Sequence, residues 1–347
     1  MKQSGQQIVP EWHSEQLPAA TVPSGTLISA RSYLVDRIVP GCEVIHLPES
    51  VAEGGKLKYR RTNTIFQSQT RPRRNSFFPT RTQPVPQNRI VFDFRHHSPH
   101  NWAHLLNMHL PIFFHVTERL GIPWNIALIL LPQKTPGYIC NALTMFGLEP
   151  WLTDDTIQGD GVEIDIDPWD SIRPSRSNWS TTSTVLTAVK SATDQLSESM
   201  PRRILLLRRN TRAISNPDAI KTLVKHLGFE TIYPEDLTPA EQFAIFMKAE
   251  MVIAVHGAGL APLLYRSDDA PPMKLIELFP CGHITNVYRL MASQANMSWV
   301  GVRGKMKPQY VEPAYTFTKP FRAFSLDNFE VDPISLKLAL ETLKVAT

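Results

Sequence analysis

The chain has 347 residues, enough for two domains at roughly 150 residues each, and 42% hydrophobic against 20% charged residues excludes disorder and a coiled coil. A formal net charge of +4 suits an anionic ligand but is too small to indicate nucleic acid, and Cys42, Cys140 and Cys281 lie too far apart for a zinc motif or a disulfide framework. No apolar run approaches the about 20 residues of a membrane span, and the N-terminus lacks the apolar core of a signal peptide, so the expected location is cytoplasmic.

In chain order, residues 1–24 read as a polar tail. Strand-like runs follow at 26–35, 42–47 and 89–94, separated by turn residues. Within 56–95 ten Lys or Arg residues face one acid, Asp93, which gives either a solvated loop or a docking surface for an anionic acceptor or an anionic membrane. Residues 102–120 carry apolar positions at helical spacing behind Asn101, a good N-cap, with Pro111 set to kink the helix or start a second one. A buried strand at 125–131, a short helix at 141–146, a strand at 162–166, a Ser/Arg/Thr/Pro-rich loop at 171–183 and a helix at 185–196 complete this half.

From residue 201 onward the alternation is sharper. A strand at 203–207 leads to a helix that starts at Asn216-Pro217 and stops near Gly228. A strand at 229–233 precedes Thr238-Pro-Ala-Glu241, which is a capping-box pattern. Strands at 251–255 and 274–278 then alternate with helices after Gly259 and over 283–294, and an amphipathic helix closes the chain at 334–343. Strands and helices in this rhythm predict a parallel sheet covered on both faces. The expected organisation is a 1–24 tail, an N-terminal domain at 25–198 containing the basic region 56–95, a C-terminal domain at 199–332, and a 333–347 helix that packs back on the N-terminal domain.

Three constellations in the second half point to a nucleotide diphosphate. His256-Gly257-Ala258-Gly259 follows a buried strand and opens a helix, where small residues admit a phosphate to unpaired N–H groups. Arg208, Arg209 and Arg212 sit just past another strand end, where ligands of open α/β sheets bind and where guanidinium forks match phosphate oxygens. Glu277, at a third strand end, suits the two hydroxyls of a ribose.

These residues resemble glycosyltransferase family 61, the group of extracellular O-GlcNAc, plant xylosyl and bacterial capsule-type transferases. The resemblance rests on Arg208-Arg-Asn-Thr-Arg212, Pro234-Glu-Asp-Leu237 through Glu241-Gln242, His256-Gly-Ala-Gly-Leu260 and Ile276-Glu-Leu-Phe-Pro280, in the family's order and spacing across about 203–280. Upstream, Asn101, His104 and Pro111 match a second family segment, while Met108 stands where the family commonly has an acid.

The resemblance implies an α/β chain of the GT-B type, with two facing Rossmann-like domains of parallel sheets. It also implies inverting transfer without a metal or other cofactor, from a UDP-sugar such as UDP-xylose or UDP-GlcNAc to a glycan, glycolipid or glycoprotein hydroxyl. On that basis Arg209 and Arg212, beside Arg208 and the backbone of Gly257 to Gly259, would stabilise the leaving diphosphate, and His256 would touch the donor. His104 would be the base, Asp93 the second choice, and Asn101 and His97 would lie on the acceptor side. Two rival readings are a metal-dependent transferase using Asp165-Ile-Asp167, and an inactive protein that binds glycans or polyanions through 56–95.

Overall fold

A computed structural model describes residues 10–30, 41–68, 81–167, 175–179, 181–305 and 325–344. In chain order the strands are β1 (His13–Gln16), β2 (Ala20–Val22), β3 (Gly25–Ala30), β4 (Cys42–Leu47), β5 (Ser50–Ala52), β6 (Lys56–Phe66), β7 (Thr82–Pro84), β8 (Ile90–Asp93), β9 (Ala127–Leu131), β10 (Glu149–Leu152), β11 (Thr156–Asp167), β12 (Arg203–Leu206), β13 (Glu230–Ile232), β14 (Met251–Val255), β15 (Met273–Phe279) and β16 (Met297–Arg303). The α-helices are α1 (Trp102–His104), α2 (Leu110–Leu120), α3 (Gly137–Met145), α4 (Thr182–Glu198), α5 (Pro217–Lys225), α6 (Pro239–Met247), α7 (Val287–Gln294) and α8 (Pro333–Thr342).

The described residues divide into two compact units. One draws on Met1–Ala19 and Ala52–Val185, the other on Ala20–Val51 and Leu186–Thr347. Both are α/β, but neither sheet is wholly parallel as expected.

The first unit's sheet has seven strands, in the order β1-β6-β11-β8-β9-β10 with β7 beside β11. Its β8-β9-β10 part is parallel, whereas β6 and β11 form a long antiparallel pair. The charges of β6 are matched across this pair: Arg60 meets Glu163 at 2.6 Å, Arg61 meets Asp160 at 2.6 Å and Lys58 meets Asp165 at 3.6 Å. Arg89 pairs with Glu149 at 2.7 Å, and Arg95 is buried against Asp93. Much of the basic region is thus neutralised by acids from other strands, which the linear sequence could not show. Arg71, Arg73 and Arg74 lie outside the described residues.

The expected polar tail instead supplies β1 and β2. Tyr59 donates to Glu15 on β1, which also accepts from His115 at 3.0 Å, so this strand is tied to both β6 and α2. Helix α1 passes into α2 through a π-helical turn at Leu105–His109. Pro111 has no N–H to give the carbonyl four residues back, which accounts for the break in the α-ladder.

The second unit's sheet runs β13-β12-β14-β15-β16-β3-β4, parallel from β13 to β3 with β4 antiparallel at the edge. Strands β3 and β4 therefore complete the C-terminal sheet, rather than belonging to the 25–198 domain. Helix α8 packs against β3 and β16 of this same unit. Its Leu336, Ala339 and Leu340 join a core with Ile28, Ile253, Ile276 and Val302.

Local signals are honoured where tertiary packing agrees. Thr238 and Glu241 form the capping box, with Glu241 N–H donating to Thr238 Oγ1 at 3.3 Å and Thr238 N–H to Glu241 Oε2 at 2.7 Å. Gly228 ends the α5 turn at φ +77°. Among the described residues no helix is long and apolar enough to cross a membrane.

Candidate donor site

Register fixes the site. Leu206, Ala254 and Glu277 lie side by side on β12, β14 and β15, so the segments that follow these strands emerge at one edge. The loop 208–212, the turn 256–257 and the segment 279–283 consequently meet at the carboxyl ends of three parallel strands, the usual ligand edge of such sheets.

Gly257 is the pivot. Its φ of +150° is open to glycine but strained for other residues, and a methyl there would overlap the Arg208 guanidinium and lie 3.6 Å from Arg212 Nη1. Arg208 donates to the His256 carbonyl at 3.3 Å and to Thr211 Oγ1 at 3.2 Å. Arg212 adopts φ +59° and donates from Nε to the Ser325 carbonyl at 2.6 Å. Burial lowers the pKa of both guanidinium groups, and the charge of Arg208 lowers that of Arg212 further. Two cations held close together and partly desolvated form a site that an anion would relieve.

His256 is only 6% exposed and is oriented from beneath. Its Nδ1 pairs with Glu277 Oε1 at 2.6 Å, while Trp299 Nε1–H donates to Glu277 Oε2 at 2.8 Å. The ring stacks on Phe279 at 5.2 Å, and Tyr288 Oη donates to the Gly257 carbonyl at 2.7 Å. Burial drives the Tyr288 phenol up, so it remains a hydrogen-bond donor.

Three expectations change here. Glu277 is 0% exposed with both oxygens engaged, so it supports His256 instead of offering a surface to a ribose. Arg209 points elsewhere: its side chain is 46% exposed, forks onto Asp236 and stacks over Tyr233 at 4.2 Å, while Arg208 takes the place beside Arg212. The helix after Gly257 is a 3₁₀ run, Ala258–Tyr265, with Pro262 inside it. Pro262 cannot donate to the carbonyl of Ala258, so no regular α-helix begins there. Gly259 serves packing, since a Cβ there would lie 2.8 Å from Pro234 Cγ.

The first unit carries the remaining candidates. Asn101 caps α1, its Oδ1 accepting from Ala103 N–H at 3.0 Å and His104 N–H at 3.4 Å. His104 Nδ1 lies 2.8 Å from the His97 carbonyl. A carbonyl can only accept, so Nδ1 carries the proton and a neutral ring keeps its lone pair on Nε2. His97 is exposed at φ +56°. Tyr138, which the sequence did not single out, is exposed nearby and donates to the His100 carbonyl at 2.8 Å.

Asp93 does not have the character of a base. It accepts from Arg95 Nε at 2.9 Å and Nη2 at 2.7 Å, with its side chain 8% exposed. Burial raises its pKa, but Arg95 and then His96 outweigh this and hold it below the ordinary value. The ion pair therefore stabilises the fold fully above the ordinary aspartate range, and that contribution is lost as pH falls through the depressed folded value. Asp93→Asn leaves Arg95 buried without its counter-charge and is expected to cost about 3 kcal/mol at neutral pH. Denaturant unfolding at pH 7 and at about pH 2 tests this, with the gap between wild type and variant narrowing only as pH falls below the ordinary aspartate range.

Asp165 and Asp167 lie on β11 in register with Lys58 and Lys56, and Asp165 is ion-paired to Lys58. Among the described residues no group of three or more His, Cys, Asp or Glu side chains could hold a metal ion.

A run of parallel strands whose carboxyl edge gathers arginines, a histidine and a glycine turn is a place where an anionic ligand can bind. A family model described as Glycosyltransferase 61 matches residues 102–273, spanning α1 through the start of β15. The chain belongs to glycosyltransferase family 61, and it is a glycosyltransferase. No curated protein matches it.

Proposed function

We propose that the protein is an inverting, metal-independent glycosyltransferase of the GT-B type that moves a sugar from a UDP-sugar to a glycan or glycoconjugate hydroxyl. The observation that carries this reading is the paired Arg208 and Arg212 against the bare face of Gly257, beside His256. Fixed cations of this kind neutralise a departing diphosphate without a divalent ion. In a single displacement the acceptor oxygen bonds to the anomeric carbon as the bond to the β-phosphate oxygen breaks, and the electron pair leaves with the diphosphate.

The acceptor proton needs a base, and His104 Nε2 is the proposed one because the His97 carbonyl holds the proton on Nδ1. Gly257 and Ala258 lie where backbone can approach the phosphates, and Asn101 acts by fixing His104. His104→Ala is expected to lower kcat by about 10²-fold or more with little change in donor affinity. Assaying wild type and variant with UDP-xylose and UDP-GlcNAc in EDTA tests both the base and the metal independence. Activity that appears only with Mn²⁺ would support the metal-dependent alternative.

A further inference from the structure

We propose that His283 is a further donor-site residue, and that it takes up a proton when a nucleotide-sugar diphosphate binds. The inference rests on the donor reading of the Arg208–Arg212–His256 edge and adds a residue that neither the sequence motifs nor the family match singles out. His283 follows β15, half-buried, with its ring centroid 5.0 Å from that of His256.

The groups around it are mostly positive or neutral. His256 and Arg212 face it from the segments after β14 and β12, and Arg208 lies beside Arg212 against Gly257. Tyr288, on α7, packs against His256 and donates its proton to the Gly257 carbonyl. Arg303, on β16, donates to the Cys281 carbonyl at 3.1 Å. Of the carboxylates near this edge, Glu277 is engaged by His256 and Trp299, and Glu235 acts on Arg208.

In the free protein this environment holds His283 neutral. Burial, then His256, then Arg212 lower its pKa to about 4. A diphosphate diester brings two negative charges to the same edge and offsets the positive potential that Arg208 and Arg212 place at the ring. At about 5 Å such charges move a partly buried imidazole by roughly two to three pH units, so uptake of about half a proton or more per donor is expected near pH 6. The protonated ring then adds a charge-assisted hydrogen bond to the phosphates.

The test is isothermal titration of the full-length protein with UDP-GlcNAc and UDP-xylose near pH 6, in MES and in bis-Tris. These probes carry a diphosphate diester that does not itself titrate near that pH. The expected result is an observed enthalpy that varies with the buffer's ionisation enthalpy, with a slope of about half a proton or more. In His283→Gln that slope should fall to near zero, and affinity near pH 6 should fall about 3–10-fold. Binding with no buffer dependence in the wild type would overturn the inference and leave the donor reading intact, without relying on any variant. A slope unchanged in His283→Gln would move the proton to another group and equally overturn it. No binding of either probe would overturn the donor reading, and the inference would fall with it.

Discussion

Replacing Arg208 or Arg212 by alanine is expected to lower kcat/KM for the nucleotide-sugar donor by about 10²–10³-fold, while Arg209→Ala stays within about threefold. The three residues share one short segment, and the sequence favoured Arg209 and Arg212 for the leaving group. The structure separates them. Arg208 lies against Gly257, and Arg212 is held beside it by the Ser325 carbonyl. Arg209 is spent on Asp236 and Tyr233 at the surface. An exposed, solvent-screened pair of that kind contributes little, so its loss is a stability effect at most. Arg208→Lys provides an internal control: it keeps the charge but loses the planar fork, and should recover only part of the lost activity. Steady-state kinetics on the four variants, with circular dichroism to establish folding, would measure this pattern. Equal losses at Arg208, Arg209 and Arg212 would contradict the assignment.

The second large effect is expected at Glu277. The carboxylate presents two acceptors to two facing donors, His256 Nδ1–H and Trp299 Nε1–H. Glutamine offers one acceptor and one donor in the same shape. In Glu277→Gln, either the indole loses its partner or His256 changes tautomer, and in both cases the ring loses part of the support that orients it. Donor turnover should fall about 10–100-fold, and stability by about 1–3 kcal/mol. A residue that merely contacted ribose would give a different result: KM would rise, with stability unchanged. Measuring kcat, KM and the denaturation midpoint on one preparation separates the two roles.

The strand ends and turns of the candidate edge were legible in the sequence to a useful degree, because their signals are local. A buried run ending in His256-Gly257-Ala258-Gly259 can only be a strand leading into a turn, and the capping box at Thr238 is written in four adjacent residues. What stayed hidden depends on contacts across the sheet. Glu277 reads as a strand-end acid until β14 and β16 bring His256 and Trp299 onto it. Arg208 and Arg209 are indistinguishable until Asp236 claims one of them. Strands β3 and β4 look like part of the N-terminal half, because nothing local records that β16 pairs with β3 at the far side of the chain. The basic region likewise lost much of its apparent charge once β11 supplied the opposing acids.

The central claim is that a uridine diphosphate binds at the Arg208–Arg212–Gly257 edge without a metal. Thermal unfolding with UDP, GDP, CMP and ADP, each in EDTA, tests it most directly. A ligand at about 100 times its dissociation constant adds roughly 2.7 kcal/mol to the folded state. The predicted result is a clear rise in Tm with UDP that is absent in Arg208→Ala and Arg212→Ala and retained in Arg209→Ala. A wild-type protein that no nucleotide stabilises, or a UDP shift that survives both alanine variants, would contradict the account.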